Sequence, residues 1–498
     1  MSKKTGLIVI TIFLLGACIC MALTGCSSVD ATKIYADDLT DHAQITASEN
    51  AQDAPKLIDD SDSCWTSTTQ GSYVEIAFDS AVQFNTVTLK EKTDNVQKFE
   101  IYYSVGGGEF VFLYRQDRID QFRLCATEDV TADKIRIVFC AFDDKIALRD
   151  IGVYFLKDKA GEFRVNAYLN SYATEGGSTQ IQDSVGKLEY DNYFRTLTDV
   201  TLIGVVGMKT DGTLEYYAGE DNFHKDVELL KTLKPDLNVH VTIMLGLVPG
   251  DFNGTNKAIV QLVNEKLPQV QQSLREFVTK HHVDGIDYDW EYPQLPHQWA
   301  AYDRLLIATK EAINGRQLSV ALWPYGVNLS QDAQAVVDTV NIMAYDQFDE
   351  RGDNSPIYEM GAQAIEYFLK KGFTKQQLRL GIPFYGRTAD RYGIWTQFDQ
   401  SFGKWDNYKE NFIYTNADGQ QVTSTLFINA YAMVRDKTAL ALANDLGGIM
   451  IFSTNSDDVA TAEYTLHKAV EEVLNQRLTM LVKIKRQTAR IECMVTLR

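Results

Sequence analysis

Cysteine is nearly absent from the larger part of this chain. The seven in the whole sequence fall at positions 18, 20, 26, 64, 125, 140 and 493, and none lies between Gly161 and Arg477. No CxxC pair or His/Cys grouping has metal-ligand spacing, which argues against zinc chemistry. Positive charge is also short: 48 Lys and Arg stand against 67 Asp and Glu, a formal net charge of −19. Nucleic-acid phosphates would be repelled by such a surface. A neutral polymer such as a glycan would not, although acidity also serves plain solubility. What is present is ordinary for a packed soluble protein: 45% hydrophobic and 23% charged residues. Aromatics reach 11%, with 25 Tyr and 24 Phe, a supply that fits both an aromatic core and sugar stacking. At 498 residues the chain is long enough for two or three domains.

The N-terminus carries Lys3 and Lys4, then an apolar run from Leu7 to Leu23, which is short for a spanning helix. That is the layout of a secretory signal. Its end, Leu23, Thr24, Gly25 and Cys26, resembles the bacterial lipobox. The resemblance implies lipidation at Cys26, a leader over residues 1–26, a polar tether over 27–40 and an extracytoplasmic, membrane-anchored chain. An uncleaved anchor helix is the alternative. A short tail over 477–498 is basic, with Lys483, Lys485, Arg486, Arg490 and Arg498, and reads as a frayed end.

Residues 41–158 alternate polar and apolar over short stretches: Ser72–Phe78, Phe84–Leu89, Phe99–Tyr103 and Lys134–Phe139. Gly106 to Gly108 and Asp143–Asp144 mark turns between them. Short alternating strands without helical period predict a β-sandwich. Cys125 and Cys140 are a conceivable disulfide there. Leu57–Asp60, Cys64–Ser67, Lys134–Ile137 and Ile151–Tyr154 together resemble the discoidin (F5/8 type C) family. That resemblance implies a carbohydrate-binding module with a structural calcium ion near Asp59 and Asp62; a plain spacer is the other reading.

From residue 160 to 476 strands alternate with helices, which predicts an α/β fold with a parallel sheet. Eight strands are expected near Arg164–Leu169, Val200–Val206, Val239–Leu245, Gly285–Tyr292, Leu318–Trp323, Val340–Tyr345, Leu378–Tyr385 and Gly448–Phe452. Helices are expected at Pro268–Lys280, Gln298–Ile313 and Met360–Lys371, the first opened by its proline. Eight such units fit a closed (β/α)8 TIM barrel, whose catalytic residues gather at the C-terminal ends of the strands.

The segment Asp284–Pro293 carries the chemistry. Side chains on a strand alternate faces, so Asp287, Asp289 and Glu291 share one face and Ile286, Tyr288 and Trp290 the other. The aromatic face suits packing against helices, leaving the acids to look into the barrel. Carboxylates roughly 6–7 Å apart on one face repel, and sharing a proton raises at least one pKa. A metal-binding strand or a solvated edge is the bland alternative. An edge would not alternate so strictly, and no phosphate-binding loop accompanies a magnesium site.

This segment resembles the DxxDxDxE signature of glycoside hydrolase family 18, continued as in its chitinases. Asn341–Asp346, Asn354–Pro356, Leu380–Arg387 and Gly447–Phe452 resemble further segments of that family in order. The resemblance implies a retaining, substrate-assisted mechanism needing no cofactor, a known exception to the two-carboxylate scheme. Glu291 is then the acid and base, Asp289 orients the substrate acetamide, and Asp287 shares a proton with Asp289. Tyr345 donates to the acetamide oxygen; Tyr168, Met343, Asp346, Arg387 and Phe452 line the sugar site. The implied substrate is a GlcNAc-containing polysaccharide cut at β-1,4 bonds by a monomeric chitinase-type enzyme. An endo-β-N-acetylglucosaminidase acting on N-glycan cores and a non-catalytic surface lectin are the rivals. Three features depart from the family pattern. Met244 stands where strand three usually has Ser, which leaves a hydroxyl under the acids missing. Phe452 stands where strand eight usually has Trp. The stretch after Arg387 is short for the family's insertion domain, which predicts a shallow cleft.

Overall fold

The computed structural model describes residues 29–59, 61–156, 163–170, 194–248, 250–347, 357–390, 395–398, 402–416, 418–457 and 465–474. Cys26, the Asn354–Pro356 segment and the basic tail lie outside them.

The N-terminal unit contains β1 (Ala43–Ala47), β2 (Trp65–Ser67), β3 (Tyr73–Glu91), β4 (Val96–Ser104), β5 (Val111–Gln116), β6 (Arg123–Phe142) and β7 (Ile146–Tyr154). These form one antiparallel seven-stranded sheet, not two separate ones. The long strands β3 and β6 pair with each other, and the ladder breaks register between Ala77 and Val82 and again between Phe84 and Thr86. Such irregularities bend a strand. One half of β3 then pairs with β1 and the other with β7. Trp65 of β2 lies three strands from β6, about 14 Å across a flat sheet. Its ring is nevertheless 5.6 Å from that of Phe139 on β6. The sandwich is made by a single sheet turned back on itself around a shared core.

One expectation for this unit fails. Cys125 and Cys140 sit towards opposite ends of the one strand β6 and both are free thiols, so they are not a disulfide pair. At the acidic loop, Asp59 accepts from the Ser61 backbone at 2.9 Å, and Asp62 is fully exposed with Arg149 3.9 Å away. Among the described residues, which leave out Asp60, no group of three or more His, Cys, Asp or Glu could hold a metal ion.

The barrel strands are β8 (Arg164–Asn170), β9 (Asp199–Met208), β11 (Asn238–Met244), β12 (Gly285–Asp289), β13 (Gln317–Leu322), β14 (Thr339–Ile342), β15 (Leu378–Pro383) and β20 (Gly448–Phe452). All eight pair in parallel, and β20 closes the ring onto β8. The short β10 (Leu214–Tyr216) adds antiparallel to β9. Helices α1 (Glu220–Leu233), α2 (Phe252–His281), α3 (Pro296–Ala312), α4 (Gln331–Val336), α5 (Gln363–Lys370) and α6 (Tyr431–Ala443) flank it. Pro268 does not open its helix. It lies inside the 30-residue α2, which starts where the Asp251 side chain caps the Gly254 N–H. The early cap and the buried residues on both sides of the proline outweigh the one lost backbone bond.

At the N-terminal mouth of the barrel, Asp199 is buried under a bidentate Arg164 at 2.8 and 2.9 Å, with Arg379 3.7 Å away. Burial pushes its carboxyl up, but His240, Arg379 and Arg164 outweigh that and hold it far below the usual range. Charge at this end ties strands together, leaving the opposite end for chemistry.

Between β15 and β20 the chain inserts β16 (Tyr385–Thr388), β17 (Trp395–Gln397), β18 (Tyr408–Thr415) and β19 (Gln421–Phe427) as a separate four-stranded sheet. The stretch thus holds a small inserted sheet after all, its strands short and paired antiparallel.

The N-terminal sheet is docked on this assembly. Every residue of α6 from Tyr431 to Ala441 is buried, charged ones included. Asp436 accepts from the Tyr114 hydroxyl at 2.5 Å, the Arg123 guanidinium at 3.0 Å and the Ala126 N–H at 2.9 Å, all three from the N-terminal sheet. Burial pushes its carboxyl up despite the Arg123 charge. Losing one partner of a buried pair costs about 3–5 kcal/mol. Asp436→Ala should lower unfolding stability by that amount in chemical denaturation; a change under about 1 kcal/mol, the range of exposed pairs, would show that the knot does not hold the units together.

Candidate active site

Strand β12 divides as its alternation requires. Ile286, Tyr288 and Trp290 are buried on the helix side. Tyr288 meets Thr309 of α3 at 2.9 Å, and the Trp290 indole N–H donates to Asn256 of α2 at 2.6 Å. The opposite face carries the acids, in three different environments.

Asp287 is completely buried. Its Oδ2 accepts from Tyr168 at 3.0 Å and Thr242 at 2.8 Å; its Oδ1 accepts from Ser319 at 2.5 Å and Asn341 at 3.4 Å. The four donors come from β8, β11, β13 and β14. The four contacts occupy both oxygens of the carboxyl group. The hydroxyl expected to be missing at Met244 is supplied by Thr242, which faces Asp287 in the parallel register.

Asp289 turns the other way, toward Glu291. Burial, then the charges of Glu291 and Asp287, then the hydrogen bond with Glu291 drive its carboxyl well above the usual range. Its Oδ1 is buried without a hydrogen-bond partner among the described residues. Glu291, one bend beyond the strand, is exposed. The raised carboxyl of Asp289 thus lies beside Glu291 at the mouth of the barrel, above the hydrogen-bonded Asp287.

Around this pair lies a cavity of about 370 Å³ lined by Tyr168, Asp289, Glu291, Tyr292, Ala321, Trp323, Met343, Tyr345, Asp346, Arg387 and Phe452. Every site residue expected from sequence within the barrel lines it except Asp287, which lies beneath. Tyr345 and Phe452 stack with centroids 5.9 Å apart, and Tyr168 is 5.6 Å from Phe452. Burial and the charges of Asp289 and Glu291 push the Tyr345 hydroxyl up, so it stays a donor. The close fit of Tyr345 needs Gly381: a Cβ there would collide with the Ile342 carbonyl and come within 3.1 Å of the Tyr345 ring. Across the cavity Asp346 is held by Arg387 at 2.6 Å and by the Tyr385 hydroxyl at 2.7 Å.

Sequence reasoning missed Thr242, Ser319, Tyr292, Trp323 and Tyr385. Tyr385 stood inside a recognised segment, and Tyr292 beside the acid row. Thr242 and Ser319 were findable only as inward-facing residues opposite Asp287, which requires the strand register. Tyr292, Trp323 and Tyr325 form an exposed to half-buried aromatic run leaving the cavity, with centroids 6.4 and 6.1 Å apart.

A raised pKa means that Asp289 keeps its proton as pH climbs past the range, about 4, where an ordinary carboxyl loses it. Infrared difference spectra taken just above that range should therefore show a protonated-carboxyl C=O band that Asp289→Asn removes and that fades on alkaline titration. A spectrum without such a band there would refute the raised carboxyl.

Comparison with known proteins agrees with this geometry. The model of glycosyl hydrolases family 18 matches residues 164–457. The chain is 24% identical over 318 residues to probable chitinase 2 of Drosophila melanogaster, covering 52% of this chain and 64% of that protein. It is 28% identical over 210 residues to chitotriosidase-1 of Mus musculus, covering 34% and 43%. A solved family 18 chitinase from the chitin utilization locus of Flavobacterium johnsoniae aligns with a TM-score of 0.49 at 19% identity, over 64% of this chain and 94% of that one. The chain spans less than two thirds of the length of these curated relatives. With the family model running over more than half of the sequence and the acid row at the mouth of its barrel, the chain belongs to glycosyl hydrolase family 18.

Proposed function

We propose that this protein is a retaining glycoside hydrolase that cleaves β-1,4 bonds next to N-acetylglucosamine, with the substrate's own acetamide as nucleophile. The observation that carries the reading is the raised carboxyl of Asp289 beside Glu291, above an Asp287 held by four partners. With a sugar in the cavity, Glu291 delivers a proton to the leaving glycosidic oxygen as the C–O bond breaks. The acetamide carbonyl oxygen attacks the anomeric carbon from the opposite face. Asp289, released from Glu291, takes the acetamide N–H on its unpartnered oxygen and balances the positive charge on the oxazolinium ring. Tyr345 donates to the acetamide. Water then opens the ring while Glu291 takes back a proton, giving net retention.

Substrate class rests on the same atoms, because a sugar without the acetamide lacks the nucleophile. The sequence relatives named as a chitinase and a chitotriosidase support a chitin-type polymer. The aromatic run Tyr292, Trp323, Tyr325 supports further sugar units beyond the cleaved bond, since each ring offers an apolar face. Glu291→Gln should lower turnover of chitopentaose by about 10²–10⁴-fold, the usual worth of a general acid, while oligosaccharide binding persists. The first-formed product should carry the β-anomer by NMR. An α-anomer, or equal hydrolysis of a glucosamine oligomer, would overturn the mechanism. Cleavage confined to intact N-glycans would move the substrate to the chitobiose core.

The leader pattern supports export and lipid anchoring at Cys26, and the discoidin-like segments support a glycan-binding role for the N-terminal sheet. Metabolic labelling with a radioactive fatty acid should mark the parent protein and not Cys26→Ala; equal labelling of both would sink the anchor assignment.

A further inference from the structure

The N-terminal sheet touches more than α6. Trp405 of the inserted segment fits edge-on against Phe112 and Tyr114 of β5, with centroids 5.7 and 5.4 Å away. Beside it Asn407 is buried and fully engaged. Its Oδ1 accepts from the Ala430 N–H at 3.2 Å, its carbonyl accepts from the Ile428 N–H at 2.8 Å, and its Nδ2 donates to Gln116 Oε1 at 2.6 Å. Gln116 closes β5 and is itself fully buried, with Nε2 unpartnered among the described residues. Keeping an amide there carries an orphaned N–H that an apolar side chain of the same size would avoid. The acceptor oxygen is what the position requires.

Asn407 thus fixes residues 428–430, directly after β19. In β19, Phe427 pairs with Arg387 of β16, and Leu426 with Thr388. Arg387 and Tyr385, both on β16, are the two groups that hold Asp346 in the cavity wall. A path of backbone pairs and buried hydrogen bonds therefore joins the N-terminal sheet to the side of the cavity opposite the acid row.

We propose that the N-terminal sheet is a fixed brace for this wall, and that Gln116 and Asn407 are positioning residues for Arg387 and Asp346. The consequence for catalysis rests on the reading of the cavity as the sugar site. Because Asp289 and Glu291 sit on β12 and just beyond it, loosening the wall weakens substrate binding without disabling proton transfer.

The test compares full-length parent, Gln116→Met, Asn407→Asp and Arg115→Ala by hydrogen–deuterium exchange and by kinetics on chitopentaose. Gln116→Met removes the acceptor at similar volume. Amides of Tyr385–Thr388 should exchange about tenfold faster, the worth of one ordinary hydrogen bond, while those of Gly285–Asp289 keep the parent rate. KM should rise about as much, with kcat within roughly twofold. Asn407→Asp sets a buried carboxylate against Gln116 Oε1 and beside Asp117, so it should speed exchange at Tyr385–Thr388 as Gln116→Met does. Arg115→Ala removes a solvent-exposed pair with Asp406 at the same interface and should change neither readout. Unchanged exchange at Tyr385–Thr388 in Gln116→Met, or a lowered melting temperature with KM unmoved, overturns the brace. Should Gln116→Met fail to fold, Asn407→Asp decides: exchange at Tyr385–Thr388 at the parent rate there also overturns it. If the parent cleaves no GlcNAc oligomer, the functional reading falls, and the exchange comparison alone settles the brace.

Discussion

A single buried carboxyl group organises this barrel. Asp287 could not sit in the centre of a packed core without compensation, since a buried polar group left unsatisfied costs about 1–3 kcal/mol. Its compensation is four donors from four different strands. Each donor is tied to β12 through the same carboxyl group, so the arrangement fixes the radial positions of those strands at one level. Burial and the neighbouring Glu291 and Asp287 push the Asp289 carboxyl well above the usual range. That raised carboxyl lies beside the exposed Glu291 at the mouth, where a substrate oxygen can reach. Packing, strand alignment and acid chemistry meet on one strand.

The same strand explains what could be read from sequence. Period-two alternation places Asp287, Asp289 and Glu291 on one face with no knowledge of neighbours, and the aromatic alternates confirm which face is inward. Strand positions were legible to within a few residues because parallel barrel strands are apolar and sharply bounded. Partner identity was not legible. Thr242 and Ser319 are unremarkable polar residues in apolar strands, and only the parallel register sets them opposite Asp287.

Tertiary context also overrode local signals elsewhere. Pro268 reads as a helix start, yet apolar residues on both sides of it face the core and carry α2 through. The N-terminal strands read as two sheets because they are short runs separated by polar turns. In the fold, β3 and β6 continue through their irregular stretches and belong to both halves. A bulge in a long strand and a turn between two short ones have the same composition, so sequence alone does not separate them.

The relation between the two units follows from α6. A barrel helix ordinarily keeps one polar face toward water, and Arg435, Asp436 and Lys437 would be read as that face. All three are buried, because the N-terminal sheet lies where solvent would be. Asp436 finds three of its donors on that sheet, while Ala432 of the same helix joins the sheet's own core. A module carried on a linker would meet its neighbour through a smaller, more polar contact that either part could lose. Here separation would expose apolar surface on both sides and leave the inserted sheet without Gln116. The N-terminal sheet is for that reason part of the framework that shapes the cavity, and a role in binding glycan would be added to this mechanical one.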